Sequence, residues 1–504
     1  MSSSRLSRFE RSRSRSTARA LLVATAVMGA GSSALVVACG DDGSSPRAFD
    51  ESVDGSVADR QAPTEAATPT DAGVQPDVRG PYDPTTAAVS CDASPCVTQI
   101  VAGSDHFCAR MNDGTVRCWG ANNYGVLGTV DPDPDPGGGI GIGGGGVGIQ
   151  SDDAGADGGD DAGSTVRVIG NLTNVTQLSA AGSTTCARLE DGTVACWGAN
   201  TSAQLGLDAT TAEVDYDPHP SPSPVALSEP ATRVDVGQGS ACAMLASGKT
   251  WCWGRDEHAQ LLRAGDEPIA DPWRYHGPGA AETGSLTFTG LAIGDNNTLG
   301  LSNEGEVWTW GAIGGDNGTI AGRVGSVSPL TSPKRIESLH KVTSLVASVW
   351  LLVYGSPPRA HACALADGEV YCWGRSYGGA LCTGVPSEER EPTHAPFASS
   401  EKAWPQQLSA GDEITCARMT DGSVHCCGTD TRGRLGTGAS VITSARFTKA
   451  SAFTNFAVQV ATTDRAVCAL VQDGTVECWG SNEKGELGRL RDDADHFSPV
   501  KVAF

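Results

Sequence analysis

Cys108-Ala109-Arg110-Met111-Asn112-Asp113-Gly114-Thr115-Val116-Arg117-Cys118-Trp119-Gly120, followed by Gly125-Val126-Leu127-Gly128, is the stretch on which the fold depends. The pattern returns as Cys186 to Gly198, Cys242 to Gly254, Leu299 to Gly311, Cys363 to Gly374, Cys416 to Gly428 and Cys468 to Gly480. Each copy reads as two short strands about a tight turn, with Asp-Gly or an equivalent pair supplying the positive φ that the turn demands. The tryptophan position holds Trp119, Trp197, Trp253, Trp310, Trp373, Cys427 and Trp479, with successive gaps of 78, 56, 57, 63, 54 and 52 residues. A period just above fifty, with four short strands per unit, is the mark of an all-β propeller or a similar array.

The cysteines follow the same frame. In six copies the two positions flanking the turn lie ten apart, and a three-residue loop with a bulged Gly sets them opposite each other; in the fifth, Cys363 and Cys372 lie nine apart, and a two-residue Asp367-Gly368 turn restores the opposition. Six copies carry both cysteines (Cys108/Cys118, Cys186/Cys196, Cys242/Cys252, Cys363/Cys372, Cys416/Cys426, Cys468/Cys478), while the fourth carries neither and shows Leu299 and Thr309. Independent thiols would drop out singly, so joint presence and joint absence argue for six disulfides. Buried free thiols are the competing reading, and zinc fits worse because ten-residue spacing lacks the short pairs of zinc knuckles. Cys91 and Cys96 are expected to close a short loop before the first copy. Cys427 in the tryptophan position and Cys382 in the preceding turn form either a bridge between neighbouring units or two free thiols.

Outward from the repeats, the chain has 504 residues, 36 Lys+Arg, 59 Asp+Glu and 17 Cys, with a net charge of −23. This balance argues against nucleic acid as a partner, and the cysteine content points to an oxidising compartment. Residues 1–38 hold six Arg (positions 5, 8, 11, 13, 15 and 19) and Glu10, then an apolar stretch from Ala20 to Ala38 that ends Leu35-Val36-Val37-Ala38-Cys39-Gly40. This resembles a bacterial lipoprotein signal, which implies cleavage before Cys39 and lipidation of Cys39. A simple secretory signal and an uncleaved anchor are the alternatives. Removing six positive charges and one negative takes the net charge to −28. Gly40, where an Asp would imply inner-membrane retention in that family, favours the outer membrane or cell surface. Residues 39–90, rich in Asp, Ser, Pro, Thr and Ala, read as a disordered tether reaching roughly 40 Å. Residues 91–504 form the folded part.

The repeat itself resembles the RCC1 repeat: a small-residue strand, Asp-Gly-x-Val, x-Trp-Gly and a Gly-x-Leu-Gly turn. Seven copies then imply a seven-bladed propeller. The tail Ser498-Pro499-Val500-Lys501-Val502-Ala503 looks like the opening strand of a further unit. Ring closure is therefore expected from this strand pairing in the first blade beside Val97–Val101. The founding member of the family binds chromatin and promotes nucleotide exchange on a small GTPase. An exported acidic chain meets neither partner, so the fold is carried over without that activity. Some exported relatives act by protein binding, among them a secreted β-lactamase inhibitor, which is an analogy of fold only.

Catalytic and ligand motifs are weak. Gly374-Arg375-Ser376-Tyr377-Gly378 spells a nucleophile elbow, but it occupies the Trp-Gly turn of the repeat. Gly139-Ile140-Gly141-Ile142-Gly143-Gly144 spells a dinucleotide fingerprint without the strand and helix that such a site needs. His106 and His361 hold corresponding positions before the first cysteine, where core or interblade hydrogen bonding is expected. The insertion 131–164, rich in Gly and Asp, reads as solvated low complexity or as a calcium-binding segment lacking EF-hand order. Val342 to Arg359, with Trp350, Leu351, Leu352 and Tyr354, is either a strand or an exposed apolar patch.

The expectation is a non-enzymatic, monomeric, lipid-anchored propeller that uses no cofactor or metal and binds a protein partner through loops on one face. Carbohydrate or cell-wall binding through exposed aromatics such as Trp251, Trp273, Trp350 or Trp404 is the alternative. An envelope enzyme with a site in the central channel ranks below both, as does guanine-nucleotide exchange.

Overall fold

The computed structural model describes residues 88–91, 95–130, 165–207, 213–263, 274–312, 320–322, 330–348, 360–376, 378–398 and 401–504. Seven four-stranded antiparallel sheets follow one another along the chain, each built from four consecutive strands. The first blade comprises Val97–Ala102, His106–Met111, Val116–Gly120 and Arg167–Val168. The innermost strands of the others are Val175–Ala181, Ala231–Val236, Phe288–Ile293, Val342–Ala347, Pro405–Gly411 and Ala457–Thr462. Val342–Ala347 is thus the inner strand of the fifth blade; Trp350, Leu351, Leu352 and Tyr354 lie outside the described residues. So do the signal segment, Cys39, the tether up to residue 87 and the insertion 131–164.

The hairpin at the centre of each blade follows from its turn. Gly114 takes φ +78°, and the Asp113 carboxylate accepts the Thr115 amide at 2.9 Å. In the fifth blade Asp367 (φ 51°) and Gly368 (φ 82°) are both left-handed, as a two-residue turn of matching twist requires. Both geometries bring the flanking positions directly opposite each other: Cys108 faces Cys118, Cys363 faces Cys372, and in the fourth blade Leu299 faces Thr309. The structure joins Cys108–Cys118, Cys186–Cys196, Cys242–Cys252, Cys363–Cys372, Cys416–Cys426 and Cys468–Cys478, each with Cα atoms 4.1 Å apart. Cys91–Cys96 closes the loop ahead of the first blade.

Trp-Gly is the joint between blades. Each buried indole donates its Nε1–H to the carbonyl at the x position of the preceding blade's Gly-x-Leu-Gly turn or its equivalent: Trp197 to Val126, Trp253 to Gln204, Trp310 to Gln260, Trp373 to Ile320, Trp479 to Arg434 and Trp119 to Glu486, all at 2.8–2.9 Å. The following Gly is required because a Cβ at Gly120 would sit 2.5 Å from the Asp105 carbonyl oxygen. In the sixth blade the latch is replaced: Cys427 stands in the tryptophan position and is disulfide-bonded to Cys382, in the turn of the fifth blade. The two departures from the repeat therefore meet in space, which resolves the open alternative in favour of a bridge between blades.

The C-terminal strand corrects the expected closure. Asp492–Lys501 pairs with Val476–Asn482 as the outer strand of the seventh blade, with Val500 opposite Cys478, and does not enter the first. The first blade has no vacancy, because Val97–Ala102 already fills its inner position and Arg167–Val168 its outer one. Pro499 belongs with this placement: outer strands also carry Pro220, Pro222, Pro224, Pro278, Pro333 and Pro392, on an edge where the missing N–H costs no ladder bond. The ring closes instead by the contacts used at its other seams. Gln459 exchanges two hydrogen bonds with Ile100 (2.8 and 2.9 Å), Trp119 bonds Glu486, and Phe504 packs edge-on to Trp119 with ring centroids 5.5 Å apart.

Candidate functional site

Antiparallel order sends the first-to-second and third-to-fourth connections of every blade to one face, and the tight hairpins and interblade connectors to the other. The long connections share a face. Segments 131–164, 208–212, 264–273, 313–319 and 323–329 all join a third strand to an outer strand, and 349–359 joins a first strand to a second. Of the seven large apolar side chains exposed among the described residues, six lie on third-to-fourth connections: Val130, Tyr216 (63%), Val385, Val441, Ile442 (86%) and Leu490 (66%). The chain enters the ring from the opposite, hairpin face. Ser90 donates its amide to Gln472 O at 2.7 Å in the turn of the seventh hairpin, and Val89 packs on the core between the seventh and first blades.

An axial cavity of about 220 Å³ is lined by inner strands of all seven blades. Val236, Leu291, Ile293, Leu345 and Val346 make the third to fifth blades largely apolar apart from Asp235, whereas Ser104, Ser179, Ser409, Thr462 and Asp464 bring polar groups from the others beside Leu408. At the loop-face end, three adjacent blades contribute carboxylates from equivalent loops, Asp412 (sixth), Asp464 (seventh) and Asp105 (first). The Asp412 amide donates to Asp464 Oδ1 at 3.1 Å. Burial, reinforced by the negative charges of Asp412 and Asp105, pushes Asp464 up to about 8.

Cations surround this mouth, and three of the four engage its own residues, Arg465 lying 3.7 Å from Asp105. Arg434 donates to the main-chain carbonyls of Asp412 (2.8 Å) and Asp464. Lys484 Nζ reaches Asp105 Oδ2 at 2.9 Å, and Arg465 pairs with Glu483, to which Arg432 also binds. Beneath them Glu486 is wholly buried. Its Oε2 accepts the Lys484 amide at 2.8 Å, while Oε1 has no hydrogen-bond partner among the described residues. Burial raises its carboxyl to about 7, with Asp105 adding to the rise. Among the described residues no group of three or more His, Cys, Asp or Glu is arranged to hold a metal.

The remaining expected residues fall into structural places. His106 Nε2 meets Thr185 Oγ1 of the next blade at 2.9 Å, and His361 meets Thr415 at 2.8 Å and Ser348 at 2.7 Å. Burial lowers both imidazoles to about 4. The elbow serine, Ser376, is buried and accepts the Ala380 amide at 2.9 Å, while Arg375 pairs with Glu388. Two of the four aromatics expected to stand exposed do not: Trp251 is half-buried against the core between the second and third blades, and Trp404 is half-buried with its amide on Thr420. Each follows from placement, Trp251 within a strand and Trp404 at the entry to one. Trp273 and Trp350, like Gly139 to Gly144, lie outside the described residues. Sequence reading missed the Gln rungs: Gln99, Gln177, Gln407 and Gln459, third in their inner strands, each bond the main chain of the next blade. Their recurrence at one position was the available signal.

Residues 97–126, 175–204, 406–434 and 367–418 match the regulator of chromosome condensation (RCC1) repeat. The chain is 26% identical to the human E3 ubiquitin-protein ligase HERC2 over 305 residues, 60% of this chain and 6% of the ligase. It is 25% identical to the Arabidopsis thaliana ultraviolet-B receptor UVR8 over 334 residues, 65% of this chain and 69% of the receptor. The chain thus spans only a small part of the ligase. Among solved structures, yeast RCC1 (Prp20) bound to Kap60 superposes with a TM-score of 0.52 at 19% identity, covering 66% of this chain and 75% of that one. Human WBSCR16 superposes at 0.51 and 20% identity, covering 67% and 86%.

Proposed function

This chain carries RCC1 repeats and folds as an RCC1-like seven-bladed β-propeller, and from that premise we propose that it is a non-enzymatic scaffold, held at the bacterial cell envelope by a lipid on Cys39, that binds a protein partner. One observation carries the reading. Long connections and exposed apolar side chains gather on the loop face, and the chain enters the ring on the other. A lipid at Cys39 would then hold the ring through a tether that joins it on the hairpin face, leaving the loop face free for a partner. Such solvent-facing apolar groups favour a protein interface. Protein binding has a parallel in the fold, since yeast RCC1 has been solved bound to Kap60 and Prp20p has been characterised for binding Gsp1p and histones. Exchange on a GTPase is set aside because an exported chain does not meet one. The glycan alternative loses support because Trp251 and Trp404 are half-buried.

Two measurements test this. Labelled palmitate should enter the full chain and be lost in C39S. Affinity capture from envelope extracts should recover a protein partner that is released when Ile442→Asp and Leu490→Asp are combined. Recovery of nothing, with retention on a glycan column, would overturn the scaffold reading.

A further inference from the structure

We propose that the loop-face mouth of the axial cavity, ringed by Asp105, Asp412 and Asp464 over the buried Glu486, receives a lysine or arginine side chain from a basic segment of the partner. The inference rests on the protein-binding reading above and names the chemistry of its central contact. Three observations lead to it. The cavity is open to a side chain because its lining near the mouth is small: Gly103, Ser104, Gly182, Ala410 and Gly411.

The second observation concerns charge. Asp105, Asp412, Glu413, Asp464, Glu483 and Glu486 stand against Arg432, Arg434, Arg465 and Lys484; with Asp464 raised to about 8 and Glu486 to about 7 the group is near balance at pH 7 and holds two carboxyls that can ionise against an added cation. Lys484 and Arg465 are drawn to Asp105 and Glu483, and Arg434 is directed to main-chain carbonyls. The third is the Glu486 Oε1 atom, buried within this group without a hydrogen-bond partner among the described residues, its charge acted on by both Asp105 and Arg465. A buried acceptor left open costs free energy unless a donor arrives. An organic cation fits better than a metal ion because the carboxylates are not gathered as ligands.

The raised carboxyls give a readout that a purely structural cluster lacks. Asp464 faces Asp105, Asp412 and Arg434, and Glu486 faces Asp105, Arg465 and the Lys484 amide. A cation entering this group favours the ionised carboxyls, so binding at pH 7 should release protons. The test titrates the full chain with a fluorescent octalysine peptide and with its fully acetylated counterpart, following anisotropy and, by calorimetry in buffers of different ionisation enthalpy, proton release. The peptide should bind with proton release, and the acetylated form should not bind. D412N/D464N, which keeps the Oδ1 acceptor of Asp464, should weaken binding about ten-fold or more, whereas D113N/D473N, removing two ionised carboxylates from the hairpin face and so at least as much charge, should change it less than about two-fold.

Equal weakening by both pairs, binding of the acetylated peptide, or the lack of proton release would overturn the site. Peptide binding by this rule with no captured partner would sink the scaffold reading and leave the site. A captured partner whose retention ignores D412N/D464N would do the reverse.

Discussion

At the scale of single residues, His106 and His361 show how the chain uses polar groups inside a stack of sheets. Each bridges to a threonine of the next blade, and burial holds each imidazole neutral to about pH 4. In the unfolded chain the same groups would take up protons near pH 6.5. Their contribution is therefore intact above pH 6.5 and is lost as pH falls toward 4, by roughly 2 kcal/mol for each histidine at pH 5. Urea midpoints at pH 7.5 and pH 5 should show this loss, and H106Q/H361Q should flatten the difference whatever it does to stability at pH 7.5. A slope unchanged by the double substitution would refute the assignment. The indole latches obey similar accounting. Trp253→Phe leaves the Gln204 carbonyl without its donor and should cost about 1–3 kcal/mol by denaturant titration. His106, His361 and the Trp positions were legible in the sequence because each recurs at a fixed place in the repeat, close to a cysteine in every copy but the fourth, where Thr309 precedes Trp310. Glu486 was not: it occupies an ordinary variable turn position, and only its neighbours from another blade make it unusual.

At the scale of elements, the hairpin was readable because a strand pair with its turn is a local object whose register follows from turn length. The Gln rungs and the Asp105, Asp412 and Asp464 group were harder to see because they join blades more than fifty residues apart, and Asp105 sits one place later in its loop than the others. The outer strand 492–501 was misplaced because the first and last strands of a blade are both sheet edges with the same alternation, and a proline fits either, as Pro405 does at the head of an inner strand. The Cys382–Cys427 bridge makes a direct test of the repeat's logic. C382G/C427W restores the Gly and Trp of the other blades, and should recover a latch onto the Ala380 carbonyl with little change in melting temperature. C427A alone, which loses the bridge and leaves the tryptophan-sized position unfilled, should cost about 3–5 kcal/mol. If the restored pair melts as low as C427A, the equivalence of bridge and latch is wrong. Each ten-residue disulfide loop contributes about 3 kcal/mol on chain-entropy grounds, so reductant should lower the melting temperature in steps greater for the full set than for this bridge alone.

At the scale of the whole molecule, the order of blades and the absence of a shared strand set what the chain ends can do. No sheet contains strands from both termini, and Phe504 lies against Trp119 of the first blade, so the two ends of the ring are neighbours without being interlaced. The starting point of the polypeptide is then arbitrary with respect to the propeller. A circular permutant that opens the connector between the second and third blades, at residues 226–230, and splices residue 504 to residue 95 through a short linker should retain all seven sheets and the seven cystines from Cys108 onward, losing only Cys91–Cys96, with a far-ultraviolet spectrum like that of the parent. In a ring sealed by a strand borrowed from the far end, the same cut would strand a β-segment; here any seam can serve as the beginning, and evolution could have moved the gene's start around the circle without rebuilding a single blade.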